Sequence, residues 1–227
     1  MTSCEKIAHL DSVGAEVKAI DYAEEYLVGD YVDSNRLPAN LHCKLEVGCF
    51  QNEYVAIRAR GQFPGNITSI APVMEDDAFL HVLKPRYIQK WQRKWQNDSG
   101  SAFIRQVTLA NFLPLCNIEV NSFGLCTIEK PSKREIIYKV CILTPTEMKT
   151  IGHELKLSTD EHVNASTAKW IELKVPFSLL HVKQRGKIVD YDIILVCKLQ
   201  SIPMTLYKQI VIASVAKAVA DVARFAQ

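Results

Sequence analysis

The tightest constraint on the fold is a strict two-residue alternation. Leu41, Cys43, Leu45, Val47 and Cys49 are apolar, and His42, Lys44 and Glu46 stand between them. Only extended backbone places every second side chain on one face, so this run reads as a half-buried strand. After the turn Gln51-Asn52-Glu53 the pattern resumes, with Val55, Ile57 and Ala59 set against Arg58 and Arg60. Residues 41–60 are therefore predicted to form a β-hairpin, closed by Gly61, Pro64 and Gly65. A second hairpin is predicted over Trp170–Val182 and Lys187–Leu199, with Lys183-Gln-Arg-Gly-Lys187 as its turn. Cys43 and Cys49 keep phase with the apolar side of the first hairpin and read as small buried hydrophobes.

The remaining segments extend this β-rich reading. Glu135–Leu143 alternates in the same way, Phe103–Leu115 and Ile118–Ile128 read as strands, and Ile67–Val73 and Phe79–Leu83 are shorter β-like runs. Helical spacing marks Ala15–Val28, stopped at Gly29, and Thr146–Leu155. The segment Pro203–Gln227 is apolar around much of its circumference and reads as a long final helix. The expected class is α+β and predominantly antiparallel β, sandwich-like or a single large sheet, with N-terminal, middle and C-terminal helices. The expected organisation is an N-terminal helix and linker (1–40), a mostly-β core (41–200) and a C-terminal helix (201–227). That last helix either packs on the core or self-associates through Leu206, Ile210, Val215, Val219 and Val222.

Composition narrows the function. Apolar residues make up 48% of the 227 and charged residues 23%, which is a globule with a real core. The formal net charge is only +2, so attraction to a polyanion would have to come from local patches. Seven cysteines without close pairing point to a reducing, intracellular setting, soluble or membrane-peripheral, and the start of the chain leads into no apolar signal segment. Neither glycine-rich phosphate loop occurs, nor a Gly-x-Ser-x-Gly elbow, and no cysteines or histidines stand at metal-ligand spacing. No cofactor, metal or catalytic residue is assigned, and the expectation is a non-enzymatic binding protein.

One stretch departs from this even background. Lys84–Gln96 packs five basic residues and three large aromatics into thirteen positions with no acid. Read as a helix, it sets Tyr87, Trp91 and Trp95 in one row and Arg86, Lys90 and Lys94 beside them, with Arg93 adjacent. The aromatic row would either dock on the sheet or stay at an interface, stacking on bases or sitting at lipid headgroups. Two predicted hairpin tips, carrying Lys133 and Arg134, and Lys183, Arg185 and Lys187, extend the candidate contact surface. The expected partners are RNA or nucleoprotein and an anionic membrane surface. In organisation, with its N-terminal helix, antiparallel hairpins, basic-aromatic segment and Ala/Val-rich final helix, the chain resembles viral matrix and plant-virus movement proteins. That resemblance implies a viral accessory or structural protein. The alternatives are a cellular β-sandwich interaction domain with the aromatic row buried, and an enzyme whose site is assembled only in space.

Overall fold

The computed structural model describes residues 3–33, 35, 37, 41–50, 54–75, 88–110, 119–155, 174–198 and 204–226. The chain opens with helix α1 (Ser3–Lys18) and continues through β1 (Glu24–Leu27), β2 (His42–Phe50), β3 (Tyr54–Pro64), α2 (Ile67–Glu75), β4 (Ile88–Gln96) and β5 (Ala102–Ala110). There follow β6 (Glu119–Ser132), β7 (Glu135–Leu143), α3 (Pro145–Glu154), β8 (Lys174–Arg185), β9 (Ile188–Lys198) and α4 (Met204–Phe225). Nine strands form one antiparallel sheet in the order β1-β2-β3-β9-β8-β7-β6-β5-β4. The single-sheet form of the expected α+β class is the one observed.

Both predicted hairpins are present. In the first, Phe50 pairs with Tyr54 and His42 with Gln62. The β8–β9 tip turns at Gly186, whose φ of 61° lies in the left-handed region that glycine enters without steric cost. The two hairpins join through β3 and β9, where Val55–Pro64 pairs with Ile188–Cys197. Gly61 sits in this joint because a side chain there would overlap the His42 carbonyl.

The sheet is covered on both faces, which it needs because many of its strands bury residues of both parities. On the inner face, Val211, Ile212, Val215, Ala216, Val219 and Ala223 of α4 pack over Leu45, Val47, Val55, Ile57 and Ala59, and Ile67 and Ile70 of α2 join the same core. On the outer face, Leu10 and Val17 of α1 and Met148 and Ile151 of α3 cover Leu125, Phe177, Leu179 and Ile194. A capping box starts α3: Thr144 Oγ1 accepts from the Glu147 amide, and Glu147 Oε2 accepts from the Thr144 amide at 2.8 Å.

Several sequence expectations change. Part of Ala15–Val28 is strand: α1 ends at Lys18, and Glu24–Leu27 pairs as an edge with Lys44–Val47. Ile67–Val73 is helical, because Asn66 Oδ1 caps the Thr68 amide at 3.0 Å and a short apolar run fits either period. Lys84–Gln96 is not a helix. Its described part is β4, paired with β5, and among the described strands β4 is one of the sheet's two edges, opposite β1. Lysines on an edge strand oppose further strand addition, so the basic residues serve an edge as readily as an anion surface. Of the residues expected either to pack on the core or to self-associate, Val215 and Val219 are buried in their own chain's core and Val222 packs against it. Leu206 and Ile210 have side chains outside the described residues, and Phe79–Leu83 lies outside them altogether. Cys49 is exposed, while Cys126 and Cys141 are buried and Cys43 is half-buried.

Candidate functional site: a polar cluster on the inner face

The inner face is apolar across β2, β3, β9 and β8, and the change comes towards β5. The run Phe103-Ile104-Arg105-Gln106 has both parities buried, with Phe103 in the inner core and Ile104 in the outer. Arg105 shares the inner side with Phe103 and is only 3% exposed. Its Nη1 donates to the Tyr138 hydroxyl at 2.8 Å, and that hydroxyl donates to Cys126 Sγ at 3.3 Å. The guanidinium carbon lies 4.9 Å from the centre of the Phe103 ring, and that of Arg93, the β4 cross-strand neighbour of Arg105, lies 4.3 Å from the same ring. Phe103 and Tyr138 stack with centroids 6.3 Å apart. Adjacent strands thus bring Arg93, Phe103, Arg105, Cys126 and Tyr138 together from β4, β5, β6 and β7.

The electrostatics of the cluster favour binding over bond-making. Burial, then the neighbouring Cys126, pushes the Tyr138 hydroxyl well above the ordinary phenol range. Burial likewise raises the Cys126 thiol, against a smaller opposing pull from Arg105. Neither group ionises near neutrality, so the cluster offers hydrogen bonds and a permanent cation, with no activated nucleophile among these groups. A guanidinium set in an apolar face can engage an anionic or strongly polar group while the surrounding core takes hydrocarbon.

The residues singled out from sequence are only partly gathered. Arg86 and Tyr87 lie outside the described residues, and Lys90 and Trp91 are described by their backbone on β4 alone. Arg93 lies beside Phe103 on the inner face, Lys94 is half-buried, and Trp95 packs with the outer core. The irregularity between Arg93 and Trp95 causes this split, placing Trp95 opposite Ile104 and Arg93 opposite Arg105. No helical stripe of aromatics flanked by cations forms. The basic hairpin tips are distant in sequence but adjacent in the sheet, because β7 pairs with β8. Arg105 and Tyr138 were not singled out. Their signal was present in an arginine flanked by apolar residues of both parities, in a strand that has no solvent face to give it.

No family model matches the chain, and neither does any curated protein. Solved structures do match. The lipid transfer and protein localization domain of human StarD13 (DLC2) superposes with a TM-score of 0.62 at 12% identity, covering 97% of this chain and 96% of that one. Human StAR-related lipid transfer protein 5 gives 0.56 at 7% identity over 96% and 97%, and a STAR-related lipid transfer protein from Xanthomonas axonopodis gives 0.55 at 13% over 83% and 98%. These likenesses overturn the expectation of a viral matrix or movement protein with an RNA or nucleoprotein partner, which rested on a helical basic-aromatic stripe that β4 replaces. The nine-stranded sheet gripped by a C-terminal helix is the fold of the StAR-related lipid transfer domains.

Proposed function

We propose that the protein binds one amphipathic lipid on the inner face, its hydrocarbon against the core beneath α4 and its polar end at Arg105 and Tyr138. The observation that carries the reading is the cation at Arg105, 3% exposed on an otherwise largely apolar face. Burying a charge without a purpose is costly, and an apolar residue of similar volume would be equal or better for stability alone. The fold shared with StAR-related lipid transfer proteins supports the choice of ligand class. The activity is binding and carriage, and it requires no chemical step.

The test is incubation of the purified chain with mixed liposomes, followed by native mass spectrometry. A single added mass equal to one lipid species, lost in Arg105→Met, is the expected result. A spectrum with no bound lipid from any liposome mixture would overturn the reading.

A further inference from the structure

At one end of the sheet the two basic hairpin tips meet α2. The Gln184 amide donates to the Arg134 carbonyl at 2.8 Å, joining the β8–β9 tip to the β6–β7 tip. The Gln184 side chain then ties both to α2: its Oε1 accepts from the Ile67 amide at 2.6 Å, and its Nε2 donates to the carbonyls of Gly65 and Gly186 at 3.0 and 2.7 Å. The Gly65 amide donates to the Lys187 carbonyl at 3.0 Å. Five basic side chains come to these tips, and they divide into two kinds. Lys183 faces Glu135 at 3.6 Å, and Arg185 Nη2 donates to Asp190 at 2.7 Å, so both are neutralised locally. Lys133, Arg134 and Lys187 enter no ion pair among the described residues, and all three line one open pocket of about 680 Å³. Among the described residues no aspartate or glutamate lines it, and Thr68 and Ser69 add hydroxyls.

We infer that this pocket binds the phosphate of a phosphomonoester. Three cations around a common space match a dianion better than a single carboxylate, and the planar fork of Arg134 can engage two phosphate oxygens at once. The hydroxyls of Thr68 and Ser69 supply neutral donors. The first amides of α2 are already taken by Gln184 and Asn66, so the attraction rests on side-chain cations held by a preformed frame. The volume exceeds that of a phosphate, which leaves room for the group that carries it. None of the lining residues belongs to the Arg105 cluster, and the inference stands whether or not a lipid binds there.

The test uses the whole chain and two phosphate sources. Calorimetric titration with glycerol phosphate measures the soluble source. Co-sedimentation with phosphatidylcholine vesicles, with and without phosphatidic acid, measures the same group on a lipid headgroup. Saturable binding in at least one arm is expected, weakened about tenfold or more by Arg134→Gln with Lys187→Gln. Lys183→Gln, which removes a cation already paired with Glu135, is expected to leave it within about twofold, as is normal for a screened surface charge. Binding in the vesicle arm alone assigns the site to headgroups. Binding to neither source, equal binding by the double variant, or equal losses from Lys183→Gln and the double variant would overturn the inference. Thermal midpoints, expected to be unchanged because all three side chains are exposed, separate these outcomes from misfolding.

Discussion

The two faces of one sheet treat charge in opposite ways. On the outer side, cations meet carboxylates: Arg58 makes a two-pronged contact with Asp192 at 2.8 and 2.9 Å, Arg60 reaches Glu46 at 2.6 Å, and Lys139 bridges Asp11 of α1 and Glu129. On the inner side, Arg105 is more deeply buried than any of these cations, and it donates to a phenol and lies against a phenyl ring. Paired charges of the outer kind hold elements in register, α1 against β7 through Lys139 among them. A cation buried this deeply against a phenol and a phenyl ring adds little to folding, and the proposed lipid gives it a role. The difference teaches that the same residue type holds elements together on one face and, in the proposed function, meets a ligand on the other.

Outer-face packing should show the largest response to mutation. Phe177, 1% exposed beneath α1, is expected to cost about 4 kcal/mol as Phe177→Ala, read from the urea midpoint, because Gly14 above it is too small to fill the cavity. A loss below about 1 kcal/mol would mean that α1 does not seal this face. Next, Asp192→Ala leaves the largely buried Arg58 without its carboxylate and should cost about 2 kcal/mol, reduced from the fully buried case by partial exposure. The contrast sharpens with Arg105→Met, whose effect on the ligand-free protein should stay within about 1 kcal/mol or be stabilising. If Arg105→Met instead costs more than Asp192→Ala, the two faces do not differ as argued.

The smallest effect concerns pH. A hydrogen bond from His181, aided by Lys183, holds the Glu135 carboxyl below its ordinary value of 4.5. A lowered folded value means that this contribution is present above the ordinary carboxylate range and is lost as pH falls through the folded value. The thermal midpoint of wild type should therefore exceed that of Glu135→Gln near neutrality, and the gap should close below pH 4.5. A gap that stayed constant across this range would remove the carboxylate from the account.

How much of this was legible follows from where the physics is local. Alternation in Leu41–Cys49 and Glu135–Leu143 depends on neighbours two residues away, and both strands appear where the pattern puts them. The final helix, with its wide apolar surface, was equally plain, although its burial against its own sheet was not. Lys84–Gln96 misled because lysine and tryptophan serve a helix stripe and an edge strand alike, and pairing with β5 decided between them. Arg105, Cys126 and Tyr138 are brought together by cross-strand register, so no linear spacing records the cluster. The hairpin tips were visible as basic loops, but the division between Lys183 and Arg185, which meet carboxylates, and Lys133, Arg134 and Lys187, which enter no ion pair among the described residues, exists only in the folded sheet.

The account turns on Arg105 as a ligand-binding cation, and the most direct test is lipid affinity measured side by side in wild type and Arg105→Met at equal fold stability. Fluorescence titration with a lipid identified by native mass spectrometry should give an affinity about tenfold or more weaker in the variant, the loss expected for one charge-assisted contact. Equal affinity in the two proteins would contradict the account, and would return Arg105 to a purely structural role.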